Sequence, residues 1–513
     1  MALDVHRSSR ARLDATTLRT RLFIGGQWVD GDDGAEIEVL DPHDGTTITR
    51  IAEARATDVD RAVDAAERAF PAWAGTPAVE RGRILLRVAD LIESNAAELA
   101  RLESADTGHP LRDSTRLDVP RTAATFRYFG GMADKHEGSV IPSERGFLNY
   151  LAHEPIGVVG QIVPWNFPLM FTSWKLGPAL AAGNTVVMKP SELTPLSTLR
   201  VAELLQAAGL PDGVVNIVPG YGTTAGWAIV THPRIRKVSF TGSTAVGRRV
   251  VEGSAGNLKR LQLELGGKGA NIVFEDADLE QAVNGSAFAI FHNQGQACIA
   301  GTRLLLHERI ADRFLDDFLS VATNIRLGDP LDMATEMGPL TSSIHRDRVL
   351  AYVEVARGEG AEILCGGDGA SDPDLAAGYY IRPTVVRARP SDRVSREEVF
   401  GPFVVVTTFT DEDEALEIAN STEYGLGNGL WTRDLSRAHR VASRLQSGMV
   451  WVNAYKRVSP ASPFGGVRGS GYGREMGFEV MHEYTQPKSV WVNVGADLPV
   501  WFARPERDKA ADG

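Results

Sequence analysis

Cys298 sits in Asn-Gln-Gly-Gln-Ala-Cys-Ile-Ala-Gly-Thr-Arg, just beyond an apolar helical stretch and among small residues that leave its sulfur approachable. A thiol so placed can act as a nucleophile once it is deprotonated. Taken alone, a free cysteine is more often a small buried hydrophobe, and Cys365, at the end of the apolar run Ile363-Leu364, keeps that plainer reading. Glu264 alternates with Leu261, Leu263 and Leu265. A carboxyl in such a strand-like, apolar setting is raised in pKa toward values useful to a general base, although a salt-bridged edge glutamate has the same pattern. Gly266 and Gly267 follow it and permit close backbone approach by a ligand. Asn166 lies in a rigid aromatic turn, Pro164-Trp165-Asn166-Phe167-Pro168. A fixed side-chain amide there can donate to an oxyanion, or simply bond the backbone of its own turn.

Two segments compete for a phosphate. Gly220 to Ala225 (G-Y-G-T-T-A) spells a dinucleotide fingerprint after the strand-like run Val214 to Val218, but so short a match is weak. The run V-S-F-T-G-S-T-A-V-G reads as a strand, then Gly242 and Ser243, then a helix whose first N–H groups would face an anion. A serine-capped strand-turn-helix needs no ligand to look this way. Lys189 and Glu192, in V-V-M-K-P-S-E, stand at the carboxyl end of a strand, where open α/β sheets bind ligands. They can hydrogen-bond ribose hydroxyls or form one solvated ion pair.

These residues need a frame to hold them. Short β-rich runs alternate with helical patterns from Gly157 to about Leu265, and a second alternating series runs from near Asn271 through Leu304 to Phe409. That is the pattern of two α/β units in tandem, each with a parallel sheet and crossover helices. Ahead of them, residues 22 to 52 read as short strands and turns. Ile84, Leu85, Val88, Leu91, Ile92, Leu99 and Leu102 then form one apolar stripe on an amphipathic helix, which is core. A late strand, Lys488 to Asn493, stands apart from both units and can pair outside its own domain.

At 513 residues the chain is too long for one core, which favours two or three domains. Its composition, 43% hydrophobic and 23% charged, is that of a soluble globular protein. No apolar run approaches a membrane span. A formal charge of −12 argues against a nucleic-acid partner. Two cysteines make no disulfide framework and the first twenty residues lack a secretory core, which suits a reducing cytoplasm. Residues 1–21 read as a poorly ordered tail.

The order and spacing of P-W-N-F-P, K-P-S-E, F-T-G-S-T, L-E-L-G-G-K, G-Q-A-C, E-E-V-F-G-P and P-F-G-G-V-R-G-S-G-Y-G-R-E resemble the aldehyde dehydrogenase superfamily, over almost the whole chain. Arg468 stands where the family more often has lysine. The resemblance implies Cys298 as nucleophile, Glu264 as general base, Asn166 with the Cys298 backbone N–H as oxyanion hole, and Lys175 with Glu475 as a proton relay. It implies NAD, with NADP possible, held by Lys189 and Glu192 at the adenosine ribose, Gly242 and Ser243 at the pyrophosphate, and Glu398 and Phe400 at the nicotinamide ribose, with Trp165 also binding the cofactor. The Gly220 segment would lie near the adenine. Phe167, Phe171, Trp174, His292 and Phe464 would line a tunnel for an apolar or aromatic aldehyde, while Lys456-Arg457 can attract an acidic group or, more simply, be a solvated surface pair. No metal is implied.

The implied fold is α/β, aldehyde dehydrogenase-like: a Rossmann-type cofactor domain (22–136 and 156–265), an α/β catalytic domain (266–482), and a small bridging β-sheet (137–155 and 483–500). Homodimers or homotetramers are expected, with the strand around Val490 to Val492 extending a neighbour's sheet. The implied reaction is oxidation of an aldehyde to an acid through a cysteine thioester. A CoA-acylating dehydrogenase and a catalytically silent binding protein on the same fold are the alternatives, and the intact Cys298, Glu264 and Asn166 set argues against both.

Overall fold

Valine-rich runs too short for helices and apolar on both faces become the central strands of two large sheets. The computed structural model describes residues 18–370, 372–499 and 501–502 together with Leu13, so the tail expected at 1–21 lies mostly outside the described residues. In the first sheet Val158–Ile162 and Thr185–Lys189 are buried along their whole length, as strands covered by helices on both faces must be. Its eight strands run in the order Gly471–Tyr472, Arg260–Glu264, Lys237–Thr241, Val158–Ile162, Thr185–Lys189, Val215–Ile217, Leu22–Ile24 and Gln27–Val29. The middle five are parallel; the others close the edges antiparallel.

The second sheet has seven strands, in the order Glu362–Cys365, Thr384–Arg387, Phe403–Phe409, Arg303–His307, Ala270–Val273, Gly427–Trp431 and Met449–Val452. All its pairings are parallel except the first. Two parallel α/β units in tandem are therefore present. The chain crosses between them more than once. Gly471–Tyr472, within the range expected for the catalytic unit, pairs with Arg260–Glu264 at the edge of the first sheet.

The single amphipathic helix expected through Leu102 is two helices, Ala78–Ser94 and Ala96–Thr107. Asn95 divides them: its side-chain amide donates to the Leu91 carbonyl at 2.7 Å while its own backbone departs from helical geometry. A short polar side chain that competes for a helix carbonyl does this readily. The apolar positions on both pieces still face one core.

A three-stranded antiparallel sheet stands apart, ordered Thr485–Asn493, Phe147–Pro155 and Ser139–Ile141. The late strand pairs over nine residues with Phe147–Pro155 of its own chain, as a bridging sheet drawn from 137–155 and 483–500 requires. Its far edge is unpaired among the described residues. No helix of the described residues is long and apolar enough to cross a membrane.

Candidate active site

Cys298 emerges from a strained turn. The helix Leu279–Phe291 ends at His292, and Asn293, Gln294 and Gly295 follow with φ of 54°, 55° and 70°. Left-handed backbone at two consecutive non-glycine residues costs of order 1 kcal/mol or more each and persists only where surroundings hold it. Here they do. Gln294 Nε2 donates to the carbonyls of Gly108 and Pro339 at 2.6 and 3.0 Å, and a Cβ on Gly295 would lie 1.9 Å from the Gly401 carbonyl oxygen. The turn sets Cys298 half-buried at the meeting point of two cavities.

Asn166 arrives from the other side, in the loop between strand Val158–Ile162 and helix Pro168–Ala181, whose first position is a proline preorganised for helix. One N–H of the Asn166 amide donates to the Gln296 carbonyl at 2.9 Å, and the Asn166 carbonyl accepts from Asn293 Nδ2 at 2.8 Å. The side chain is therefore fixed against the segment leading to the thiol, with its second N–H uncommitted.

Glu264 ends strand Arg260–Glu264 and is 1% exposed, with neither carboxylate oxygen hydrogen-bonded among the described residues. Burial first, and the nearby Glu475 charge second, raise its pKa well above the ordinary carboxyl value, against the pull of Lys175 and Arg474. That environment favours the protonated form and makes the carboxylate, once formed, a stronger base than an exposed one. Burial and the Glu264 and Glu398 charges push the Cys298 thiol up to about 12, opposed by the Ile299 N–H and Lys456. The two groups sense each other.

Behind Glu264, Lys175 Nζ meets Glu475 Oε1 at 2.5 Å and Ser239 Oγ at 2.9 Å, all fully buried. A buried ion pair contributes little net stability because desolvation offsets its attraction. Glu475 Oε2 has no partner, so the pair presents a free acceptor.

The glycines after Glu264 are approached by the protein rather than by a ligand alone. A Cβ at Gly266 would strike Glu398 Oε2 at 2.5 Å, and one at Gly267 the Cys298 carbonyl oxygen at 2.3 Å. The Gly267 N–H donates to Glu398 Oε1 at 2.7 Å, tying Glu398 beside the thiol segment, and burial pushes that carboxyl up to about 7. Phe400 has φ of 66°, its carbonyl lies 2.6 Å from His345 Nε2, and its ring meets Trp165 edge-on at 5.4 Å.

The larger cavity, about 450 Å³, runs from Cys298 past Trp165 and Glu398 to Gly242, Ser243 and Glu192. Lys189 Nζ is buried and donates to the Gly220 and Pro190 carbonyls at 2.8 Å and to Glu192 Oε2 at 3.2 Å. Ser243 caps helix Thr244–Gly253, accepting from the Val246 N–H at 3.3 Å. Tyr221 to Thr223 line an adjoining cleft. The Gly220 fingerprint is thus a π-turn beside this cavity, while the Gly242 turn opens a ten-residue helix onto it.

The second cavity is narrow, about 40 Å³, and reaches Cys298 from the opposite direction. Phe167, Phe171, Trp174, His292 and Phe464 all line it. Trp174 meets Phe171 and Phe464 with ring centroids 5.2 and 4.8 Å apart, and Phe167 stacks on His292. Burial, then Lys456, holds His292 neutral, well below its ordinary pKa.

Residues 28–490 of this framework match the family model described as the aldehyde dehydrogenase family. The chain belongs to the aldehyde dehydrogenase family. Its activity is NAD(P)⁺-dependent aldehyde oxidation. The NADP/NAD-dependent aldehyde dehydrogenase PuuC of Escherichia coli (strain K12) is 45% identical over 484 residues, 93% of this chain and 97% of that protein. The crystal structure of PnpE from Pseudomonas sp. WBC-3, also solved with nicotinamide adenine dinucleotide, is 65% identical with a TM-score of 0.94, covering 95% of this chain and all of that one. Betaine aldehyde dehydrogenase from Staphylococcus aureus, solved with NAD⁺, is 39% identical with the same TM-score over 95% and 97% of the two chains. The aldehyde dehydrogenase-like α/β fold is thereby established.

Sequence reasoning misplaced one cation of this dehydrogenase's narrow cavity and missed another. Lys456, expected at the surface, is 4% exposed and lines it, and so does Arg121 from helix Val119–Met132. A left-handed turn at Lys456, with φ of 53°, points its side chain inward to the His292 carbonyl at 3.4 Å. Neither cation has a salt-bridge partner among the described residues.

Proposed function

We propose that Cys298 carries the aldehyde through a covalent thioester that Glu264 then hydrolyses to the acid. The observation that carries this reading is the position of Cys298 where a wide cleft and a narrow aromatic tunnel meet, with Asn166 bonded to the segment leading to the thiol and Glu264 near enough for its charge to act on the sulfur. An aldehyde carbon does not readily release hydride, whereas a tetrahedral oxyanion does. Cys298 Sγ attacks the carbonyl carbon, its proton passing to a base. The Asn166 amide and the Cys298 N–H hold the oxyanion. Bound NAD(P)⁺ supplies the acceptor for the hydride pair, so the carbon is oxidised to a thioester. Glu264 then takes a proton from water as its oxygen attacks, the C–S bond breaks, and the acid leaves. Glu475 and Lys175 provide a buried route to carry the proton away from Glu264.

The cleft fits the cofactor. Lys189 and Glu192 would hold the adenosine ribose, Gly242 and Ser243 the pyrophosphate, and Trp165, Glu398 and Phe400 the nicotinamide end. The buried Thr241 Oγ1, with no partner, supports this fit. The Glu192 carboxylate would repel a 2′-phosphate, so kcat/KM should be higher with NAD⁺ than with NADP⁺. Glu192→Gln should narrow that ratio by roughly tenfold, about 1.4 kcal/mol. A wild-type preference for NADP⁺ contradicts the assignment.

The unpaired cations revise the expected substrate. A purely apolar aldehyde would leave the buried Lys456 without an ion-pair partner, which is costly; an aldehyde with a remote carboxylate would satisfy it, with the half-buried Arg121 beside it. Burial pushes Lys456 down to about 7, so it is cationic below that pH and loses its charge above it. KM for a carboxylate-bearing aldehyde should therefore rise as pH passes upward through about 7, less so for a neutral aldehyde. Lys456→Met should raise the anionic-to-neutral KM ratio by about tenfold or more. An unchanged ratio would return the tunnel to neutral aldehydes.

A homo-oligomer in the cytoplasm completes the reading. Val140, Leu148, Tyr150 and Val492 leave an exposed apolar face on the three-stranded sheet, which marks an association surface.

A further inference from the structure

Three histidines from remote parts of the chain converge outside the active site. His136 follows helix Val119–Met132, His153 lies on strand Phe147–Pro155, and His482 on the short helix Val480–Glu483. One ring nitrogen of each lies within 4.8 Å of the others. The rings are close: His136 lies 4.3 Å from His153 and 4.9 Å from His482 between centroids.

The nitrogens are arranged as acceptors. Thr485 Oγ1 donates its hydrogen to the Met481 carbonyl at 2.8 Å and so receives His136 Nε2–H at 3.0 Å. That contact places the His136 proton on Nε2 and leaves Nδ1 as a bare lone pair. A hydroxyl fixing the tautomer from behind is what a metal-ligating imidazole uses. His136 Nδ1 and His153 Nδ1 are both buried with no hydrogen-bond partner. Two buried ring nitrogens left without a partner carry a desolvation cost that a bound ion would offset.

We propose that His136, His153 and His482 form a binding site for a borderline divalent transition ion such as Zn²⁺, with solvent completing its coordination beside the exposed His482. Tetrahedral Zn–N bonds of about 2.0–2.1 Å put two ligand nitrogens about 3.4 Å apart, so a pair now up to 4.8 Å apart closes by a shift of under about 1 Å in each side chain. Imidazoles suit zinc, copper and nickel. The ion would clamp the three-stranded sheet to the helices beside it, because His153 lies on that sheet while His136 follows helix Val119–Met132 and His482 lies on helix Val480–Glu483. Nothing in the local spacing announced it, since the three positions span most of the chain.

The test uses Zn²⁺ alone on the full chain, in a Cys298→Ala/Cys365→Ala background that removes both thiols. After treatment with a chelator, calorimetric titration should find one Zn²⁺ per chain with the cluster intact, and saturating Zn²⁺ should raise Tm by roughly 3 °C or more. His153→Gln and His482→Gln should each weaken binding at least tenfold. His482 is exposed, so its variant serves if the His153 change disturbs folding. A second group, His109, Asp113 and His292, lies by the substrate tunnel. Absence of binding at 100 µM Zn²⁺ (about), unaltered affinity in both histidine variants, or loss of binding with His292→Gln instead, would overturn the proposal.

Discussion

Cys298→Ala is expected to bind NAD⁺ and fold like the wild type, yet to oxidise aldehyde at least about 1,000-fold more slowly, because no other group can form the acyl bond. The side chain is half-buried and close to alanine in size, so the change leaves the turn intact. That turn is held by backbone contacts of Gln294 and Gly295 rather than by the sulfur. Cys365→Ala should change turnover little. Its sulfur rests 3.6 Å from the Pro383 carbonyl on an edge strand of the second sheet, away from both cavities. Near-wild-type turnover by the Cys298 variant would end the mechanism proposed above.

Glu264→Gln separates the two half-reactions. The amide preserves volume in a site with no hydrogen-bond partner to lose, but it cannot take a proton from water. Hydride transfer should therefore proceed once, releasing about one NADH per active site in a burst, after which turnover stalls by at least about 100-fold. The pKa of Glu264, raised by burial and by Glu475, adds a pH signature. Deacylation in the wild type should fall as pH drops and the carboxyl stays protonated, and the variant should lack that dependence. Loss of the burst itself would assign Glu264 to activating the thiol. Steady turnover would mean that another group is the base.

The parts of this site that were legible in the sequence are those written locally. A strand that ends in Thr-Gly-Ser before a helix, or a carboxyl alternating with leucines before two glycines, fixes its own short-range geometry, and the structure sets Glu264, Gly242 and Ser243 at strand ends accordingly. Parallel strands were legible because both faces are covered and the runs are apolar throughout. What escaped was decided by chain crossings. Lys456-Arg457 looks like any surface pair until a left-handed turn buries the first of them against Phe288 and His292. Gly266 and Gly267 announced a close approach but not its partners, Glu398 and the Cys298 carbonyl, which come from residues far along the chain. The break at Asn95 turned on one side-chain hydrogen bond that the apolar spacing does not encode.

The covalent step can be seen directly. Glu264→Gln, mixed with NAD⁺ and an aldehyde and quenched within the burst, should carry one acyl group on the peptide containing Cys298, gaining the mass of the acyl group less one hydrogen. The adduct should be absent without NAD⁺, because the thioester forms only after hydride leaves, and absent in Glu264→Gln/Cys298→Ala. A burst of NADH with no acyl mass on that peptide, or with the mass on another residue, would contradict a Cys298 thioester.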